Sequence, residues 1–144
     1  MTFRQLSERV FASPQIGIEQ VREAARQGIA LIVNNRPEGE SEDQTPGDAI
    51  AAAAREAGLD YIAIPITHAG FSESQVAAMR EALAQASGPV LAYCRSGTRS
   101  TLLWALAEAS RGTSPHTLTA AAAQAGYDVN PVRALMDMLA AREQ

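Results

Sequence analysis

The chain has a single cysteine, Cys94, in 144 residues. One thiol cannot close an internal disulfide. With only two histidines beside it, it also makes a poor metal site, and nothing else calls for a cofactor. No apolar run approaches the roughly 20 residues that span a bilayer. The opening stretch, MTFRQLSERVFASPQ, carries charges where a secretory leader needs an apolar core, so a cytoplasmic location is expected. There is no excess of positive charge: the net charge is −4. That argues against a nucleic-acid partner and against a basic membrane-binding patch. No internal repeat and no composition break are visible, so the chain is expected to form one domain, residues 1–144, large enough for a real core.

The residues that are present have a clear rhythm. Three β-branched apolar runs, Ile29–Asn35, Tyr61–Ile66 and Val90–Cys94, read as strands. None alternates cleanly, so each is expected to be covered on both faces, the habit of parallel strands. Helical patterns lie between them at Ile18–Gln27, Asp48–Ala57 and Ser74–Ala86, with Gly28, Gly58 and Gly88 as stop signals. Strand and helix alternate, which predicts right-handed crossovers in an α/β protein. Phe3–Ser13 reads as a short strand pair at the sheet edge, giving four to five strands in all. Three helices are expected after the cysteine, at Thr98–Arg111, Pro115–Ala125 and Pro131–Arg142. Ser114 and Asn130 stand before first-turn prolines as caps. These helices are expected to cover one face of a three-layer fold. The acidic, proline-containing stretch Asn34–Gly47 is expected to be the most mobile segment.

The segment CRSGTRS, residues 94–100, carries the chemistry. Cys94 ends a parallel strand, and ligands in open α/β sheets bind outside the carboxyl ends of strands. Arg95, Ser96, Gly97 and Thr98 turn the chain, and Gly97 permits an unusual backbone angle and close approach of a ligand. The helix beginning near Thr98 points unpaired amides back into the turn, which makes an anion site. The same field stabilises a thiolate. Arg99 can lay a planar, permanently charged fork over bound oxygens. Ser100 can donate toward the cysteine sulfur or simply pack in the first helical turn. Arg95 is expected to project outward.

A strand ending in cysteine, followed by such a turn, arginine and serine, resembles the cysteine phosphatases and the rhodaneses. Four residues separate Cys94 from Arg99, the shorter rhodanese spacing; the cysteine phosphatases have five. Four blocks in order, VNNRPEGE, IPITHAGFSESQV, GPVLAYCRSGTRSTLLWAL and AAAQAGYDVNPVRALM, are similar to the beta-lactamase hydrolase-like phosphatase-like family. That resemblance implies a fold like the protein-tyrosine and dual-specificity phosphatases. It also implies a bacterial domain that stands alone or partners a metallo-β-lactamase-type sulfur dioxygenase. It leaves open whether the activity is phosphatase or sulfurtransferase.

Hydrolysis of a phosphate ester needs a proton donor for the leaving oxygen. Phosphatases of this fold supply it as an aspartate on the loop after the strand that precedes the cysteine strand, and here that loop, Thr67–Ser72, has none. His68 stands in about that place and could act as a general acid near neutrality, bind substrate, or be merely solvated. Glu73 reads as a residue of the next helix start. Arg36, past the first long strand, could bind an anionic donor or pair with nearby glutamates. Asn34 and Asn35 are expected to satisfy loop backbone groups. Tyr93, Trp104 and Met136 read as core. Sulfur transfer needs no acid, so the short turn and the missing aspartate favour a sulfurtransferase as the first reading. In it Cys94 takes sulfane sulfur from a small anionic donor and passes it to a thiol acceptor. The alternatives are a cysteine-dependent phosphatase and a non-catalytic anion-binding or redox-sensing module.

Overall fold

The apolar runs near residues 31, 61 and 90 pair as parallel strands, and the helices between them cross over on both faces. The computed structural model describes residues 3–143. In chain order the elements are β1 (Arg4–Gln5), β2 (Val10–Ser13), α1 (Ile18–Arg26), β3 (Leu31–Asn34), α2 (Gly47–Ala57), β4 (Asp60–Ala63), α3 (Glu73–Gln85), β5 (Val90–Tyr93), α4 (Thr98–Ser110), α5 (Pro115–Gln124) and α6 (Arg133–Glu143). A 3-10 turn at Asn130–Val132 leads into α6. The sheet order is β1-β2-β5-β3-β4. Only the short β1 runs antiparallel, pairing Arg4 with Ala12 and Gln5 with Phe11. The expected edge pair at the N-terminus is therefore present.

Strand alternation divides the core. Leu31, Val33, Val90 and Ala92 face the layer built by α3, α4, α5 and α6. Ile32, Leu91 and Tyr93 face the layer of α1 and α2, with Ile16, Val21 and Ile50. The crossovers from β2 to β3 and from β3 to β4 move one way along the sheet, and that from β4 to β5 moves back. Right-handed connections then place α1 and α2 on one face and α3 on the other. The chain leaves β3 toward α2 and leaves β5 toward α4, so the neighbouring carboxyl ends of β3 and β5 form a switch point, where such sheets bind ligands.

The helix that starts at this switch point is the most deeply buried. Every residue of α4 from Ser100 to Ala107 is buried, as is Ala109. Such an all-round apolar helix needs cover on every side; the sheet lies beneath it, and α3, α5 and α6 pack around it. Trp104, Tyr93 and Met136 are core residues, as expected.

Three expectations need correction. β4 is shorter than the run Tyr61–Ile66 and mostly exposed, with Ile62 37% exposed. It is an edge strand with β3 as its only partner, so it lacks the two-sided cover of β3 and β5. The helix α3 ends at Gln85 with an extended Ala86 as its C-cap, so Gly88 does not stop it, and it starts from a Ser72–Gln75 capping box. Neither Ser114 nor Asn130 caps through its side chain; Asn130 lies inside the 3-10 turn, and its N–H donates to Asp128 Oδ1 at 2.9 Å.

Because Leu103 is fully buried in α4, Leu103→Ala is expected to lower the unfolding free energy by about 2–5 kcal/mol through loss of burial and a residual cavity. Urea denaturation of the two proteins checks this through the shift in midpoint.

Candidate active site

The cysteine turn is built from peptide planes held from outside so that their amides face inward. Cys94 is fully buried and its thiol is free. The Arg95 carbonyl accepts from Gln15 N–H at 3.2 Å. The Ser96 carbonyl accepts from the Tyr127 hydroxyl at 3.1 Å. The Gly97 carbonyl accepts from Thr101 N–H at 3.0 Å and from Thr101 Oγ1 at 2.8 Å. A trans peptide carries its C=O and N–H on opposite sides. Fixing these carbonyls outward therefore turns the amides of Ser96 and Gly97 toward the concave side, while the Thr98 amide donates to Ser96 Oγ at the rim, at 3.3 Å. The Gly97 amide reaches the Cys94 sulfur at 3.1 Å, the contact that stabilises a thiolate. Gly97 has φ +95, and a Cβ there would collide with the Tyr127 hydroxyl and come within 2.9 Å of Tyr127 Cζ. Both the backbone angle and the space admit only glycine.

Arg99 leaves the first turn of α4 and is held end-on. Its Nη1 donates to Glu40 Oε2 at 2.7 Å and to the Ile66 carbonyl at 2.9 Å, and its Nη2 donates to Glu40 Oε1 at 2.8 Å. A guanidinium has five N–H donors in a fixed plane. Three are used, which leaves the edge formed by Nε–H and the second Nη2–H without a protein oxygen among the described residues. Glu40 holds the guanidinium proton more tightly than usual, and the nearby Cys94 sulfur acts in the same direction. A planar fork interacting with the Cys94 sulfur, with two donors not taken by protein oxygens, suits two oxygens of one anion.

Glu40 was not singled out in the sequence, yet it joins both arginines. Arg36 Nε donates to Glu40 Oε1 at 2.9 Å. Hydrogen bonds from Arg99, and then from Arg36, pull the Glu40 carboxyl from the ordinary 4.5 down to about 2, against the opposing effect of desolvation. The stretch expected to be the most mobile is in fact tied down. Besides these pairs, Glu38 accepts from Gly47 N–H at the start of α2, and Gln44 accepts from Glu40 N–H and donates to the Pro37 carbonyl.

The other expected site residues divide. Arg95 is exposed, as predicted, and Ser96 and Thr98 are exposed at the rim, where their hydroxyls bond to each other at 3.0 Å. Ser100 is placed away from the sulfur: it donates to Asn35 Oδ1 at 2.7 Å, and Asn35 Nδ2 donates to the Ile64 carbonyl. It thus ties α4 to the chain after β3. Arg36 is buried, with 4% exposure. Besides Glu40, it donates to Gln15 Oε1 and Ser41 Oγ, so it pairs with a nearby glutamate. Asn34 accepts from Arg36 N–H, as loop support was expected to do. Glu73 lies in the first turn of α3 and pairs with Arg142 at 3.6 Å. His68 is exposed on a turn and makes no hydrogen bond among the described residues. The root of its loop, however, is fastened to the site by the Ile66 carbonyl on Arg99. Among the described residues no cluster of His, Cys, Asp and Glu could hold a metal ion, and no helix is long and apolar enough to cross a membrane.

A mostly parallel five-strand sheet between helical layers, with its cysteine turn at the switch point, places the chain among the protein-tyrosine-phosphatase-like α/β proteins. Within that class the chain belongs to the family of the beta-lactamase hydrolase-like protein, phosphatase-like domain, whose sequence model matches residues 2–111. A beta-lactamase hydrolase-like protein of Xylella fastidiosa is 38% identical over 112 residues, covering 78% of this chain. The match spans only 26% of that relative's length. A candidate phosphatase of Neisseria meningitidis has a solved structure that superposes with a TM-score of 0.84 at 32% identity, covering 96% of this chain and 99% of its own. TpbA of P. aeruginosa shares the fold at 17% identity, with a TM-score of 0.68 over 99% of this chain and 91% of its own.

Two outcomes follow from the paired arginine. Arg99→Lys keeps the charge but loses both forks, so turnover is expected to fall on the order of a hundred-fold in a steady-state assay. For Glu40, a depressed carboxyl contributes stability above its unfolded value and loses it as pH falls through its folded value. The difference in melting temperature between the parent and Glu40→Gln is therefore expected to be constant above pH 4.5 and to shrink between pH 4.5 and about 2. Differential scanning fluorimetry across that range checks it.

Proposed function

We propose that this chain is a cysteine-dependent phosphatase acting on a phosphate monoester. The observation that carries the reading is the Arg99 guanidinium, anchored end-on by Glu40 with its Nε–Nη2 edge left over beside Cys94. The phosphatase-like family match and the likeness to the Neisseria candidate phosphatase support it. They move the weight from sulfur transfer, the first reading of the sequence, to its phosphatase alternative.

In this reading the inward amides of Ser96 and Gly97 and the Nε–Nη2 edge of Arg99 hold the oxygens of the phosphoryl group. The Cys94 thiolate attacks phosphorus, an S–P bond forms, and the P–O bond to the leaving group breaks. The leaving oxygen takes a proton, from His68 if the Thr67–Ser72 loop brings it inward, or from water. Water then attacks phosphorus, the S–P bond breaks, and the thiolate returns with release of phosphate. With no aspartate on that loop, esters with good leaving groups are the favoured substrates.

One observation favours sulfur transfer as a second reading. Only four residues separate Cys94 from Arg99, and the tighter turn fits a sulfur-bearing group better than a tetrahedral phosphate. In that reaction the Cys94 thiolate attacks the outer sulfur of an anionic donor such as thiosulfate, a new S–S bond forms on Cys94, and the donor's own S–S bond breaks with release of sulfite. An acceptor thiolate then removes that sulfur from the persulfide. A sulfur dioxygenase would be the fitting partner downstream.

A single comparison separates the readings. The protein is mixed with an aryl phosphate in one arm and with thiosulfate plus a thiol in the other, and Cys94 is examined by rapid-quench mass spectrometry. The expected result is a phosphoryl adduct on Cys94, phosphate release, and loss of both in Cys94→Ser. A sulfur adduct with no phosphoryl adduct would establish the second reading in its place.

A further inference from the structure

We propose that Tyr127 is a positioning residue that aims the Gly97 amide at the reacting sulfur. It lies 33 residues beyond Cys94, past the segment 2–111 matched by the family. The inference rests on Cys94 as the reacting group and holds for either phosphorus or sulfur.

The geometry runs through one peptide plane. The Tyr127 hydroxyl donates to the Ser96 carbonyl at 3.1 Å. The N–H at the other end of that plane, on Gly97, donates to Cys94 Sγ at 3.1 Å. The plane is rigid, so a hold on its oxygen is a hold on its amide. Rotation of this peptide toward its flipped state would break both bonds together. The hydroxyls of Ser96 and Thr98 bond to each other, and Ser96 Oγ accepts from Thr98 N–H, so neither hydroxyl holds the Ser96 carbonyl. Gly97 leaves room for the phenol: the position where a side chain would begin is already filled by the Tyr127 hydroxyl and ring edge.

Tyr127 is itself secured from the far side. Its N–H closes α5 on the Ala122 carbonyl at 2.9 Å. The Arg4 guanidinium lies over its ring, 5.4 Å from the centroid, and Arg4 Nη1 donates to the Ala125 carbonyl at 2.9 Å. The edge strand β1 thereby clasps the phenol that braces the cysteine turn. Burial, joined by the charge of Cys94, raises the Tyr127 phenol above its ordinary value despite the opposing pull of Arg4. The hydroxyl therefore keeps the proton it donates.

Tyr127→Phe keeps the ring, the packing and the arginine contact and deletes one oxygen. Alkylation of Cys94 by iodoacetamide is the readout, and it needs no knowledge of the substrate. At neutral pH the variant is expected to react about five-fold more slowly, the equivalent of about 1 kcal/mol for one hydrogen bond. Its rate at alkaline plateau is expected to equal the parent's, because there the thiolate is fully formed in both. Its melting temperature should move by no more than about 2–4 °C, the range that a loss of about 1 kcal/mol allows in a domain of roughly this size. Arg4→Gln, which loosens the clasp without touching the turn, is expected to slow neutral-pH alkylation by a smaller factor. An unchanged neutral-pH rate in a folded Tyr127→Phe would overturn the proposal. So would a slowing that persists undiminished at the alkaline plateau, since that reports altered access to the sulfur.

Discussion

Three residues must carry the chain from Cys94, at the end of a buried strand, to the first turn of a buried helix. Neither end can yield: β5 is the central strand with a neighbour on each side, and α4 is enclosed by the sheet and three helices. The turn between them is short and has few conformations available. Gly97 takes the left-handed angle that the path requires. The carbonyls of this turn find partners outside it, in Gln15, Tyr127 and Thr101. The concave side is left lined with the amides of Ser96 and Gly97, an arrangement of the kind that suits an anion.

Charge is concentrated at this point in an otherwise acidic protein. Arg99 and Arg36 converge on the one carboxylate of Glu40. The pairing is short and partly shielded from solvent, with the Glu40 and Arg99 side chains 20% and 22% exposed. Its main effect is on geometry. An arginine side chain with nothing to hold it samples many rotamers, and ordering it costs side-chain entropy at the moment of binding. Glu40 meets that cost during folding and presents a fixed edge. Because Glu40 comes from the segment after β3 and Arg99 from the turn after β5, the pair also ties the two sides of the switch point together. Ser100 and Asn35 make a second, neutral tie between the same segments.

The sequence made the frame legible because its signals are local. Apolar runs, glycine stops and proline starts lie within a few residues of the elements they specify, whereas the strand order, set by pairing between distant segments, was not legible. Cys94, Gly97 and Arg99 were legible because one short segment contains the strand end, the turn and the helix start. Glu40 and Tyr127 were not. Their roles arise from contacts to residues 59 and 31 positions away, and no periodicity encodes such a contact. Glu40 is one of several acidic residues in its stretch, and nothing in composition marks it as the one beneath the arginines. The same blindness made that stretch look mobile. Ser100 was left between two readings, a bond to the sulfur and packing in the first helical turn, and the structure has it packed. Its nearness to Cys94 in sequence suggested a bond to the sulfur, but its place on the buried helix turns it toward Asn35.

The central claim is that the turn and the Nε–Nη2 edge of Arg99 together form one preorganised oxyanion site above Cys94. A crystal structure of the protein with bound orthovanadate tests it most directly. The account predicts vanadium seated over Cys94 Sγ, its oxygens facing the amides of Ser96 and Gly97 and the Nε–Nη2 edge of Arg99, with Glu40 still paired end-on to the same guanidinium. Vanadate bound elsewhere, or bound at the turn only after Glu40 has released Arg99, would contradict it.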